Sequence, residues 1–186
     1  MIGWWLTAMS ISGLVLLIVK SAMIVSSSKP WMRVPNINGI NTDYLKKFGI
    51  KGIVLDADDT ITAYNKDELH PLITEAFHRL SAQFKVTVFT NSWSEQRHDE
   101  LQRMLPTTPI VNHRHRKPDS AGFFEAAKLL SLHPQQMVVV GDRFTTDILG
   151  GNRAGMKTIL VTESLSGGEE PPWYSMTRWL EYAILD

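Results

Sequence analysis

The chain has 186 residues, with 19 basic and 19 acidic side chains and no cysteine. The balanced charge gives no electrostatic reason to expect a nucleic-acid or an acidic partner. The missing thiols exclude disulfides, thiolate zinc sites and cysteine nucleophiles, and the length suffices for one domain with a sizeable core.

Residues 2–19 form an uncharged, mostly apolar run, just long enough to span a bilayer as a helix. Trp4 and Trp5 stand near one end, and Lys20, Lys29 and Arg33 at or beyond the other, as interfacial anchors do. The basic side carries the rest of the chain, so a spanning segment places the domain on the cytoplasmic side or in an equivalent compartment such as a mitochondrial matrix. No basic residue precedes the run, which argues against a cleaved signal peptide. A helix lying in the membrane surface, or packed on an oligomer partner, accounts for the same pattern, as does a buried helix of a soluble monomer. Residues 1–28 are therefore expected to be a membrane-associating or spanning helix. Residues 29–186 are expected to form the functional domain, after a linker at Ser26-Ser27-Ser28-Lys29-Pro30.

Beyond the linker, Asn41-Thr42-Asp43 can cap a short helix that ends near Phe48-Gly49. Gly52 to Leu55 is a short apolar run and reads as a buried strand. Pro71 to Ala82 has helical spacing, Val86 to Phe89 reads as a second strand, and Ser94 caps a helix through about Met104. Pro109-Ile110-Val111 suggests a third strand, Asp119 to Leu130 a helix, and Met137 to Val140 a fourth strand. Residues 145–153 read as a helix stopped by Gly155, 158–161 as a fifth strand, 164–172 as a loop and 173–185 as a final helix. Alternating strands and helices predict an α/β fold: a three-layer, Rossmann-like domain around a parallel sheet of about five strands.

Ligands of such sheets bind beyond the carboxyl ends of the strands. The first strand is followed by Asp56-Ala57-Asp58-Asp59-Thr60 and the second by Thr90-Asn91. Lys117-Pro118 follows the third strand, and Gly141-Asp142-Arg143, with Asp147 beyond, follows the fourth. Each piece alone has a bland reading as a turn, a helix cap or a solvated loop. Together they form a chemical set. A carboxylate can attack phosphorus, and a second one two residues on can act as general acid and base. Clustered carboxylates call for a hard cation such as Mg2+, while a lysine and a threonine can hold phosphoryl oxygens.

These four segments, within about residues 50–162, resemble the four motifs of the haloacid dehalogenase superfamily. The resemblance implies that Asp56 is the nucleophile and Asp58 the general acid and base. It implies that Thr90 and Lys117 bind phosphate together with Asn91, and that Asp142 and Asp147 hold magnesium with Asp56 and the backbone carbonyl of Asp58. Too few residues separate Thr60 from Thr90, and Thr90 from Lys117, for an inserted cap domain. The chain thus resembles the capless branch, which acts on large or surface-presented substrates or closes its site by homo-oligomerising. Val34-Pro35-Asn36-Ile37, Leu45 to Gly52 and the long segment Gly141 to Gly155 resemble the mitochondrial phosphatidylglycerophosphate phosphatase family and its bacterial relatives. That implies hydrolysis of an anionic phospholipid on the matrix face of the inner membrane, or on the cytoplasmic face of a bacterial or plastid membrane, feeding phosphatidylglycerol and cardiolipin synthesis. Ala57 stands where a lysine is frequent and Asp59 where asparagine is usual. A capless phosphatase for a soluble sugar phosphate, nucleotide or phosphoprotein is the alternative, and a non-catalytic membrane-anchored scaffold is a third reading.

Other residues have two readings each. The run His113-Arg114-His115-Arg116-Lys117 can bind an anionic head group or be a solvated loop in which Lys117 alone matters. Arg143 can bind phosphate or fix its loop, and Arg153 reads as structural. Trp173 and Trp179 can meet a membrane or pack in a core or on another copy.

Overall fold

A computed structural model describes residues 29–92, 94–112 and 114–185. The apolar segment 1–28 lies outside them; among the described residues no helix is long and apolar enough to cross a membrane. Five strands form one sheet: β1 (Met32–Val34), β2 (Gly52–Leu55), β3 (Lys85–Val88), β4 (Met137–Gly141) and β5 (Lys157–Val161). Their order is β1-β5-β4-β2-β3, and every pairing is parallel. The helices are α1 (Thr42–Lys47), α2 (Thr74–Ser81), α3 (Glu95–Met104), α4 (Ser120–Leu130), α5 (Leu149–Arg153) and α6 (Pro172–Leu185).

The central strands are buried at every residue, so they read as unbroken apolar runs rather than alternating ones. Alternation survives in which face each residue serves. Ile53, Leu55, Val138 and Val140 pack with Leu45, Phe77, Leu80 and Leu101 from α1, α2 and α3. Val54, Met137 and Val139 pack on the other face with Phe123, Ala126 and Leu130 of α4. The result is the expected three-layer α/β architecture. Among the described residues, α2 and α3 are the only α-helices in the Thr60–Thr90 and Thr90–Lys117 intervals.

One expectation needs correction. Pro109–Val111 is not a strand of the sheet; Ile110 makes an isolated bridge to Val88. A proline without an N–H in so short a segment leaves little to pair. The sheet still has five members, because β1, which was not expected, joins it as an edge strand paired only to β5; its three residues include Arg33 and carry no apolar run. Caps agree better: Asn41 accepts from the Tyr44 N–H, and Ser94 from that of Arg97. The helix expected over 71–82 opens with a 3-10 turn at Pro71–Ile73, and the one over 145–153 opens with a π turn at Phe144–Ile148.

Register positions the site. Leu55 lies beside Val88 and Val140, so Asp56, Thr90 and Asp142 leave the sheet along one carboxyl edge.

Candidate active site

At that edge Lys117, 6% exposed, donates from Nζ to Asp56 Oδ1 at 2.5 Å and to Asp147 Oδ1 at 2.6 Å. Oxygen atoms of Asp56, Asp142 and Asp147 lie within 4.8 Å of one another. Asp147 can come this close because Gly141 has no side chain: a Cβ there would stand 2.3 Å from Asp147 Cγ. Its other oxygen accepts from the backbone N–H of Arg143 at 3.2 Å.

Asp58 faces a different set. Its Oδ1 accepts from the Asn65 N–H at 2.8 Å and from Arg97 Nη2 at 3.0 Å, and its carboxylate is not in the trio. Asn91 grips the backbone of Lys117 from both sides, accepting from its N–H at 2.7 Å and donating to its carbonyl at 3.1 Å. That side-chain role adds to the phosphate contact expected of its backbone. Thr90 is buried, and its hydroxyl oxygen accepts from the Ser92 N–H. A cleft of about 320 Å³ opens over these groups, lined by Asp56, Asp58, Thr90, Asn91, Lys117 and, at its edge, Arg116, Arg143, Trp173 and Tyr174.

Residues of mixed reading now have places. Arg116 lines the cleft, His115 meets Glu125 at 2.6 Å, and His113 lies outside the described residues. Arg143 is held by Glu181 and Thr177 of α6, yet it lines the cleft. Asp59 is fully buried at φ 57, a left-handed conformation that Asp tolerates. It accepts from Ser166 and pairs with Arg178 at 2.8 Å.

Sequence reasoning missed Arg97, Tyr174, Arg178 and Glu181. Arg97 is 2% exposed on a polar helix, and no local pattern distinguishes it from its solvated neighbours. The α6 residues are ordinary in sequence and reach the acidic centre only because the helix packs at the end of β4, where Tyr174 and Arg178 meet Asp142 and Glu181 meets Arg143.

The electrostatics are those of a crowded acidic centre. Burial, with Asp147 and Asp58 nearby, lifts Asp56 from its ordinary 3.8 to about 7 despite the downward pull of Lys117. Burial and the charges of Asp56, Asp147 and Asp59 push Asp142 well up. Burial works against the Lys117 charge, but Asp147 and Asp56 more than offset it and hold its pKa above the usual lysine value. An all-oxygen donor set suits a hard cation. Asp142 Oδ1, buried without a hydrogen-bond partner among the described residues, is the kind of atom that such a cation satisfies. The residues present therefore fit Mg2+.

This fit has a pH consequence. A carboxyl whose folded pKa is raised stabilises the fold below its unfolded value, and that contribution is lost as pH rises through about 7. Metal-free protein is expected to lose stability between pH 4 and 8. Mg2+ binding is expected to tighten over the same range, because the cation requires ionised ligands. Thermal unfolding with and without Mg2+ across this range checks both; a magnesium-induced gain independent of pH contradicts them.

The parallel sheet with carboxylates at its carboxyl edge defines a domain of the haloacid dehalogenase type. The putative HAD-hydrolase YfnB of Bacillus subtilis, solved bound to magnesium, shares this fold with a TM-score of 0.52 at 14% identity, over 60% of this chain and 86% of that one. More specifically, the mitochondrial PGP (phosphatidylglycerophosphate) phosphatase family model matches residues 11–166, and the chain belongs to that family. Phosphatidylglycerophosphate phosphatase 1, chloroplastic/mitochondrial, of Arabidopsis thaliana is 34% identical over 180 residues, covering 90% of this chain and 51% of the relative. The probable phosphatase YqeG of Bacillus subtilis (strain 168) is 34% identical over 129 residues, covering 69% of this chain and 73% of the relative. The chain thus spans about half the length of the Arabidopsis protein.

Proposed function

We propose that this chain is a magnesium-dependent phosphatase that hydrolyses phosphatidylglycerophosphate to phosphatidylglycerol through an aspartyl-phosphate on Asp56. The observation that carries this reading is the buried Asp56–Lys117–Asp147 constellation beside Asp142, at the floor of a cleft. Asp56 attacks phosphorus, and the bond to the lipid alkoxide breaks while Asp58 supplies its proton. Asp58 then takes a proton from water as that water attacks the phosphorus of the intermediate. Inorganic phosphate leaves and the Asp56 carboxylate returns. Arg97 and Asn65 hold Asp58 in place for both steps. Lys117 and Thr90 bind the phosphoryl oxygens and meet the charge that develops on them. Asp56, Asp142 and Asp147, with the backbone carbonyl of Asp58, would hold Mg2+, which screens the anionic nucleophile from the anionic phosphate.

The lipid assignment draws support from α6. Trp173, Met176, Trp179 and Leu180 are 57%, 58%, 67% and 47% exposed, and their spacing sets them on one helix face. Trp173 also lines the cleft, so this apolar face runs up to the mouth of the site. Tryptophans in such a place suit a membrane interface, and a cleft with no inserted cap among the described residues suits a head group presented by a bilayer. The chloroplastic/mitochondrial name of the Arabidopsis relative supports an organellar membrane; on this reading the reaction runs on the matrix face of a mitochondrial inner membrane, with a plastid or bacterial cytoplasmic face as the alternative, and feeds cardiolipin synthesis.

The test is phosphate release with Mg2+ from phosphatidylglycerophosphate in mixed micelles, beside a soluble aryl phosphate. The lipid is expected to be strongly preferred. Joint replacement Trp173→Ala and Trp179→Ala is expected to raise the apparent KM for the lipid by about tenfold or more and to leave the soluble ester unaffected. Turnover of the soluble ester alone would keep the chemistry and assign a soluble substrate. No magnesium-dependent release from either would leave the scaffold reading.

A further inference from the structure

The helix that carries this outward apolar face also reaches inward to the acidic centre. Asp142 is fully buried, and its two oxygens are treated differently. Oδ2 accepts from the Tyr174 hydroxyl at 3.0 Å and from Arg178 Nη1 at 3.3 Å. Oδ1 is buried with no hydrogen-bond partner among the described residues. Tyr182, one turn further on, places its hydroxyl 2.8 Å from the Val161 carbonyl and 3.2 Å from the Asp142 backbone carbonyl. Tyr174, Arg178 and Tyr182 are spaced four apart, so they share one face of α6. That face holds both ends of a single residue at the tip of β4. Arg178 is itself fixed by Asp59 at 2.8 Å and Glu170 at 3.1 Å, and Arg143, next to Asp142, is tied to Glu181 of the same helix.

We propose that Tyr174 and Arg178 are positioning residues for the divalent cation: by occupying Asp142 Oδ2 they leave Oδ1 as the single oxygen that Asp142 offers to the ion. This rests on the reading of Asp142 as a cation ligand. The chemical reason is that Mg2+ requires near-octahedral geometry and tolerates little freedom in its ligands. A carboxylate free to rotate can present either oxygen or both. Donors to Oδ2 remove that freedom, and loss of such partners typically costs about 10–100-fold in metal affinity. The matched family range ends at residue 166, before α6 begins, so the proposal gives this helix a part in the reaction that the four motifs do not contain.

Tyr174→Phe removes one donor and almost no volume. In the full-length protein, direct titration calorimetry with Mg2+ and no substrate is expected to show affinity about tenfold weaker than wild type. Turnover is expected to recover at saturating Mg2+, with the unfolding midpoint of the metal-free protein little changed. Arg178→Lys keeps the charge but loses the fork that joins Asp142, Asp59 and Glu170, and is expected to weaken Mg2+ at least as much; if it does not fold, Tyr174→Phe decides alone. Asp142→Asn is the control. If it loses Mg2+ binding while Tyr174→Phe binds like wild type, the positioning role is overturned and the cation reading stands. If Asp142→Asn itself binds Mg2+ with wild-type affinity, the cation reading falls and takes the proposal with it.

Discussion

Asp56→Asn is expected to lower turnover by on the order of 10⁴-fold or more and to leave the metal-free protein as stable as wild type or more so. The loss of rate follows from chemistry: the amide keeps the shape of the carboxylate but supplies no nucleophile. The gain in stability follows from crowding. Asp56 shares its surroundings with Asp147 and Asp58, and burial together with these charges holds its pKa at about 7. Above that pH the fold carries a buried negative charge that it resists, and the amide removes it. The gain should be larger at pH 8 than at pH 6, since wild type is partly protonated at the lower pH. Unfolding midpoints at both pH values, measured in chelator, check the sign. A clear loss of stability at pH 8 would mean that the Lys117–Asp56 pair outweighs the repulsion. Function and stability pull against each other at this residue, as expected where a site is built from like charges.

Lys117→Met is expected to act on the same pair with the opposite effect on stability. Lys117 Nζ lies between Asp56 and Asp147, with all three side chains almost fully buried. Methionine fills a similar volume but leaves the carboxylates facing one another. Removing one partner of a buried ion pair costs about 3–5 kcal/mol, so metal-free Lys117→Met should unfold well below wild type. Turnover should fall by about 10³-fold, since a preorganised donor to the phosphoryl oxygens is gone. Adding Asp56→Asn to Lys117→Met should restore part of the lost stability, because the two residues share one interaction and their effects are not additive. Thermal unfolding of the four proteins gives the coupling directly; strict additivity would contradict it.

The part of the site legible in the sequence is the part written at strand ends. Asp56, Thr90 and Asp142 follow apolar runs, and the sheet register brings those runs into line. Lys117 was equally legible, although the strand expected before it is only a bridge at Ile110; the segment reaches the edge through the hydrogen bonds of Val111 and Pro109 to Val88. Strand β1 was hidden because an edge strand half-exposed to water has no need of an apolar run. The residues that surround the reacting groups were hidden for another reason. Arg97 comes to Asp58 across 39 residues of sequence, and Arg178 to Asp59 across 119. Nothing in the local pattern of either helix encodes such a meeting. Asp59 carried a faint signal, as a charge where an amide is usual, and its buried pairing with Arg178 accounts for that charge.

The proposed reaction requires covalent chemistry at Asp56. The most direct measurement is to mix enzyme with Mg2+ and phosphatidylglycerophosphate, quench within one turnover, reduce with borohydride and map the product by mass spectrometry. An aspartyl-phosphate is reduced to homoserine, and homoserine is expected at position 56 alone and only when substrate is present. Rapid phosphate release with Asp56 unmodified, or homoserine at Asp58 instead, would contradict it.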